Sequence, residues 1–344
     1  MAYTTIDKSS LHFNTKLYAG TGSAGNAQTG INFQPDFVWL KNRDNGTGSH
    51  GLFDAVRGVS KRIKSDDTAA EGTYAGVSSF DSDGFTLGTS WNQSSTNFVS
   101  WNWKANGAGS ANTDGSINTT ATSANTTAGF SIVKYTGTGS NATIGHGLGV
   151  APKMIIVKNL TDARSWGVYH ASLGATQGID LDGTGAAGSA SSYWNDTAPT
   201  TSVFSIGTAN NTGAAQTYVA YCFAEKTGFS KFGSYVGNGN TDGAFVYTGF
   251  KPAFVMLKYA SPSGGVGNWG IHDSKRDVDN PVQKGLIANS TAIEDSHDFM
   301  DILSNGFKLK STSSNRNENG STYIFMAFAE APLVGSNNTP ATAR

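Results

Sequence analysis

The sequence predicts an all-β protein made of three tandem, related antiparallel β-sandwich modules, and three observations predict it. A proline-led apolar segment occurs three times, as Phe33-Gln34-Pro35-Asp36-Phe37-Val38-Trp39-Leu40-Lys41, Val150-Ala151-Pro152-Lys153-Met154-Ile155-Ile156-Val157-Lys158 and Phe250-Lys251-Pro252-Ala253-Phe254-Val255-Met256-Leu257-Lys258. Its prolines stand 117 and then 100 residues apart, a domain-sized spacing well beyond the period of a solenoid or propeller blade. Around it, five anchors recur in one order. Finally, no window of twelve or more residues carries convincing helical periodicity.

Each unit opens on a tyrosine and two glycines: Tyr18, Gly20 and Gly22, then Tyr135-Thr136-Gly137-Thr138-Gly139, then Tyr235-Val236-Gly237-Asn238-Gly239. The proline strand follows. Its apolar run (Phe37 to Leu40, Met154 to Val157, Phe254 to Leu257) is unbroken, which predicts cover on both faces. Proline has no donor for the ladder and is expected at the strand start. Next come His50-Gly51-Leu52-Phe53-Asp54, Trp166-Gly167-Val168-Tyr169-His170 and Trp269-Gly270-Ile271-His272-Asp273. Asp83-Gly84-Phe85-Thr86-Leu87 matches Asn305-Gly306-Phe307-Lys308-Leu309, while Val203-Phe204-Ser205-Ile206-Gly207 fits less closely. The Asp-Gly and Asn-Gly pairs predict turns, because both accept positive φ at little cost.

A closing strand ends each unit: Phe98-Val99-Ser100-Trp101-Asn102-Trp103, Tyr218-Val219-Ala220-Tyr221-Cys222-Phe223 and Tyr323-Ile324-Phe325-Met326-Ala327-Phe328. In the second, the two-residue period puts Val219, Tyr221 and Phe223 on one face and Ala220, Cys222 and Ala224 on the other. Trp103, Phe223 and Phe328 are therefore expected to be buried equivalents.

The expected organisation is a first module over 1–105, a flexible linker over 106–128, modules over 129–229 and 230–334, and a polar tail over 335–344. The linker reading rests on the Ser, Thr, Asn and Ala composition from Asn106 through Thr127, which lacks side chains able to bury a core. Phe229-Ser230-Lys231-Phe232 runs almost directly into Tyr235, so the second and third modules are expected to pack together. A chain of 344 residues with 43 glycines and only 14% charged residues suits turns and polar sheet faces, and 11% aromatics, seven of them tryptophan, can fill cores. A net charge of −1 without a Lys/Arg cluster argues against nucleic acid or an anionic membrane as partner. No apolar run reaches the length of a membrane span. The start, Met1-Ala2-Tyr3-Thr4-Thr5-Ile6-Asp7-Lys8, has no apolar signal region, so a cleaved secretory leader is not expected.

Catalytic and metal signals are weak. The lone cysteine, Cys222, falls where the other modules carry Asn102 and Ala327, and reads as a small buried strand residue. His170 aligns with Asp54 and Asp273, and His50 with Trp166 and Trp269. No Gly-x-Ser-x-Gly nucleophile elbow precedes a helix, so these histidines read as packing or solvent-facing groups. Asp81-Ser82-Asp83-Gly84 and Asp180-Leu181-Asp182-Gly183 resemble openings of calcium loops but lack the spacing and terminal glutamate of an EF-hand. No zinc spacing appears. Gly20-Thr21-Gly22-Ser23-Ala24-Gly25 superficially looks like a dinucleotide loop, but its echo in the other units marks a structural turn. No cofactor, metal or catalytic residue is assigned, and the protein is expected not to be an enzyme.

Phe13-Asn14-Thr15-Lys16-Leu17-Tyr18, the first proline segment, Phe53-Asp54-Ala55-Val56-Arg57-Gly58 and the ending Ala327-Phe328-Ala329-Glu330-Ala331-Pro332 resemble an uncharacterised repeat domain common in marine tailed-bacteriophage structural proteins. The first unit matches best; the Phe53 to Gly58 run has no full counterpart in the other two. The resemblance implies a virion component, assembled in the host cytoplasm and in contact with other virion proteins of tail or capsid. It brings no catalytic residues. A tail-associated fibre or receptor-binding (host adhesion) protein that meets host surface glycan or protein is the favoured expectation; a capsid decoration or head-fibre protein bound to the major capsid shell is the alternative, and a surface-polysaccharide hydrolase a weaker one. A homo-oligomer is expected, a trimer by analogy with phage fibres, although no heptad stalk appears. Loops that vary within a constant frame are the expected partner contacts: Asn42, Arg43 and Trp91 in the first unit, Arg164 and Trp194 in the second, Ser261 in the third.

Overall fold

A computed structural model describes residues 3–261 and 265–335. The chain is nearly all β, with 44% strand and 2% helix in several antiparallel sheets. One strand order occurs three times. The opening strand Phe13–Ala19 pairs with the closing strand Asn97–Trp103, which pairs with the proline strand Phe37–Asn42, which pairs with Gly51–Asp54. Phe130–Thr136, Thr217–Phe223, Met154–Asn159 and Gly167–His170 repeat that order, as do Ser230–Val236, Thr322–Pro332, Phe250–Tyr259 and Gly270–Asp273. Register repeats as well: Phe37 lies between Trp103 and Asp54, Met154 between Phe223 and His170, Phe254 between Phe328 and Asp273.

The prolines depart in one respect from the expected strand start. Two of these strands begin two residues beyond Pro35 and Pro152, but Pro252 sits inside Phe250–Tyr259. Register shifts flank it on both sides, which is how a residue without an N–H is accommodated within a ladder. The repeated opening glycines also have a physical reason. A Cβ on Gly20, Gly137 or Gly237 would run into the backbone of Gln93, Ala214 or Glu318, and Gly22, Gly139 and Gly239 all have φ between 67° and 79°. The hydroxyls of Tyr18, Tyr135 and Tyr235 then tie each opening strand to the loop before the closing strand, donating to the carbonyls of Trp91, Thr212 and Arg316.

Both faces of each sheet are covered. Val219, Tyr221 and Phe223 face a core shared by all three units, whereas Ala220, Cys222 and Ala224 face an outer core of the second unit. Cys222 is fully buried, which raises its pKa. Trp103, Phe223 and Phe328 are all buried, and they meet: ring centroids are 6.4 Å apart for Trp103–Phe223, 5.7 Å for Trp103–Phe328 and 6.0 Å for Phe223–Phe328. Phe37 stacks on Tyr221 at 4.3 Å, so the first and second units are in direct contact. The segment 106–128 is correspondingly not the flexible linker its composition predicts. Asp36 accepts hydrogen bonds from the N–H groups of Ala105 and Gly107, Asn106 N–H donates to Ser123 Oγ, and Ala121–Asn125 is an edge strand on Phe130–Thr136.

The three units close into a ring, with a contact from the last residue of each Gly-led strand at every junction. Between first and second, Arg57 pairs with Asp54 at 2.5 Å with both side chains fully buried, and Tyr221 OH donates to that carboxylate at 2.7 Å. Between third and first, Arg276 pairs with Asp273 at 2.5 Å and Trp101 Nε1 donates to it at 3.0 Å. Between second and third, His170 takes the carboxylate's place and its Nε2 lies 3.2 Å from Phe325 O. A second set of contacts follows the same order: Trp166 Nε1 donates to Lys64 O, Trp269 Nε1 to Asp180 O, and His50 Nε2, its Nδ1 occupied by Trp39 Nε1, to Ile287 O.

Three buried lysines complete the junctions. Lys41 donates to Gly48 O and Thr291 O, Lys158 to Arg164 O and Thr68 O, and Lys258 to Gly267 O and Gly183 O. In each case the second acceptor belongs to the neighbouring unit. Burial pushes the pKa of Lys41 and Lys158 down to about 8, opposed by Asp66 for the first and by Asp182 and Asp67 for the second, and that of Lys258 down to about 7, opposed by Asp180. Asp66 and Asp182 also accept the backbone N–H of His50 and Trp166; at the equivalent place Trp269 N–H meets the neutral Asn289.

Candidate functional site

In each unit the glycine after His50, Trp166 or Trp269 leaves a flat floor on the outer side of its sheet. A Cβ on Gly51 would press on the Trp91 indole at 2.6 Å, one on Gly167 would meet Tyr193 at 3.3 Å, and one on Gly270 would meet Arg316 at 3.6 Å. The three units carry related concavities of very different size. That of the third unit is only about 60 Å³, lined by Asn268, Gly270, Asn315 and Arg316, and Arg316 lies 4.0 Å over the Phe299 ring. In the second unit Asp180, Tyr193 and several glycines line about 230 Å³. In the first unit the cavity reaches about 400 Å³, within the roughly 300–1,000 Å³ usual for small-molecule sites.

The larger groove is built from the end of the proline strand, a short hairpin and the loop before the closing strand. Asn42 and Asn45 contribute one wall, Arg62 and Tyr74 the hairpin wall, and Trp91 and Gln93 the other side. Trp91 adopts φ 52°, packs edge-on against Phe53 at 5.5 Å and donates from Nε1 to Ser49 O. Arg62 stacks over Tyr74 with its guanidinium carbon 3.3 Å from the ring centroid, and its buried Nε has no acceptor. Burial lowers the Arg62 pKa, against the pull of Tyr74, Asp66 and Asp67. No Asp or Glu lines the groove.

Of the residues expected at partner contacts, Asn42 and Trp91 meet in this groove. The others do not. Asn42 also shapes its own loop, because its Oδ1 accepts the N–H groups of Asp44 and Asn45. Arg43 is held in a two-pronged pair with Glu294 of the third unit, at 2.9 and 2.8 Å, and so belongs to a junction of the ring. Arg164 is exposed, while its carbonyl accepts from Lys158. Trp194 is 1% exposed and lies edge-on to Tyr169 in the outer core of the second unit, which makes it a core residue instead of a contact. Ser261 is buried and its Oγ accepts the N–H of Thr322; the rest of its loop, Pro262 to Gly264, lies outside the described residues. Arg62 and Tyr74 were not singled out from the sequence, since their hairpin (Lys61–Arg62 with Gly72–Thr73) falls between the repeated anchors.

The calcium-like sequences have structural roles. Asp83 accepts N–H groups from Gly30 and Asn32, which lowers its pKa, and Asp182 accepts from Trp166. Among the described residues no group of three or more His, Cys, Asp or Glu side chains could hold a metal ion.

Fold and groove define the class: an all-β protein of three similarly ordered sheets about one core, with one roomy polar and aromatic concavity. Within that class the chain belongs to the family DUF7483, a domain of unknown function, whose profile matches residues 8–332 and thus runs through all three sheets. No curated protein and no solved structure matches the chain.

Proposed function

We propose that the chain is a non-enzymatic structural protein of a bacteriophage virion, a tail-associated fibre or receptor-binding component, that meets a host surface glycan through the groove of its first unit. The observation that carries the binding part is the contrast among three related concavities: only the first is left at about 400 Å³, walled by Tyr74, Trp91 and Arg62 with Asn42, Asn45 and Gln93 between them. Aromatic faces beside amide and hydroxyl groups suit a ligand that is apolar on one face and hydroxylated at its rim. The virion assignment is supported by the resemblance of the opening, proline and ending segments to phage structural proteins. A shell-bound decoration protein is the second reading, and what favours it is the ring of three similar units, a shape that can sit over a threefold position.

Two measurements test these readings. Copy number in purified particles separates them: a few dozen chains or fewer places the protein in the tail, hundreds on the shell. Binding of the purified chain to host cells should be lost on plugging the groove with Ser90→Trp while the melting temperature is kept. Unchanged binding overturns the groove assignment, and glycan cleavage abolished by one carboxylate substitution overturns the non-enzymatic reading.

A further inference from the structure

Resting on the glycan reading above, we infer that the groove of the first unit selects an acidic saccharide, with the Arg62 guanidinium receiving a carboxylate or sulfate carried by the sugar. The groove's lining holds one formal charge and no opposing one, since none of its twelve lining residues is Asp or Glu. The nearby acids are engaged elsewhere. Asp67 pairs with Lys64 at 2.5 Å, and Asp66 accepts the N–H of His50 at 2.8 Å. Arg62 itself forms no ion pair among the described residues, and its Nε is a buried donor without an acceptor.

Geometry favours an anion that offers two oxygens side by side. Lying flat on Tyr74 at 3.3 Å, the guanidinium directs its N–H groups edgewise, the fork that carboxylates and sulfates accept two-pronged. Trp91 lies 5.6 Å from the same guanidinium, so an aromatic surface adjoins the charge, and Thr47, Ser49 and Gln93 supply hydroxyl and amide partners for a sugar rim. The third unit shows the contrast. There Arg316 occupies the place of Trp91, is buried against Phe299, and fills the concavity it lines. Only in the first unit does a guanidinium face open space of ligand size.

The test uses the full-length protein and defined oligosaccharides, with affinity read by calorimetry. Oligogalacturonate and a size-matched sulfated dextran fragment probe the two anions, and unmodified dextran probes neutral sugar. The acidic probes are expected to bind at least tenfold more tightly than dextran, with affinity falling as salt rises. Arg62→Gln should abolish that preference, and Arg62→Lys should restore it only in part because the fork is gone. Acidic probes that bind no better than dextran, or a preference that survives Arg62→Gln, overturn the inference. The glycan reading fails separately: host-cell binding that Ser90→Trp leaves intact overturns that reading, whereas binding lost with Ser90→Trp but indifferent to Arg62→Gln and to oligogalacturonate overturns only the acidic selectivity.

Discussion

Phe223→Ala is the sharpest perturbation of the fold, because Phe223 sits where the three units meet. Its ring lies 4.9 Å from Phe130 in its own sheet, 6.4 Å from Trp103 of the first unit, and 6.0 and 6.1 Å from Phe328 and Phe232 of the third. Truncating a buried Phe costs roughly 3–5 kcal/mol. Aromatic pairs add about 0.5–1.5 kcal/mol each beyond area burial, so the upper half of that range is expected here. At about 2 °C per kcal/mol, the lower end of the scale for chains of 150–250 residues, the melting temperature should fall by roughly 8–10 °C. The decisive reading is the shape of the transition. All three units lose contacts, so tryptophan fluorescence and far-UV circular dichroism should shift together in one denaturant transition. A biphasic curve in which only one phase moves, or a cost below about 1 kcal/mol, would refute a shared aromatic centre.

Further outcomes follow from the junctions. Asp54→Asn leaves the buried Arg57 with only the partly exposed Glu71 as a charge partner and should cost about 3 kcal/mol, read as a lowered denaturant midpoint; a change under 1 kcal/mol would mean the pair is replaceable by water. Burial pushes the His170 pKa down to about 4, below the 6.5 of an unfolded histidine, so the unfolded chain binds more protons as pH falls. Stability is therefore full above about 6.5 and lost towards pH 4, by on the order of 3 kcal/mol from this one group. His170→Gln should flatten that acid limb, and an unaltered pH profile would contradict the assignment. Asn289→Asp gives Lys258 the carboxylate that Asp66 and Asp182 provide near Lys41 and Lys158. Raising its pKa from about 7 to about 8 should add about 1.4 kcal/mol below pH 7, and a fall in stability there would show that crowding with Asp180 outweighs the pairing.

The sheets were legible because their anchors are short, apolar and repeated, so that a strand and its register can be read from the residues themselves. The equivalence of His170 with Asp54 and Asp273 was legible for the same reason. Closure of the ring was not, since it depends on pairs such as Arg57 with Tyr221 that are 164 residues apart. The recurrence of Arg57 as Arg276, each three residues after its aspartate, was available in the sequence but was obscured by the unlike residues between. Composition misled twice. Ala121–Asn125 is poor in large side chains and yet is an edge strand, which needs hydrogen bonds more than a bulky face. Trp194 stands in a polar stretch, and a single helical turn, Ser191–Trp194, turns it inward. Of the groove, Asn42 and Trp91 could be found from loop variability; Arg62 could not, because its importance comes from stacking on Tyr74 and from the acids it lacks.

That the first of the three concavities alone reaches ligand size bears on the valency of the proposed site. Three similar units on one polypeptide could have offered three sites, but the second and third concavities reach only about 230 and 60 Å³. On the proposed glycan reading each chain would present a single sugar subsite, and a single small polar contact is weak on its own because binding must first offset lost freedom of motion. On that reading strong attachment would come from the number of chains displayed side by side, where linked weak contacts can raise overall avidity by roughly 10²–10⁴, and it would be reversible chain by chain yet persistent for the assembly.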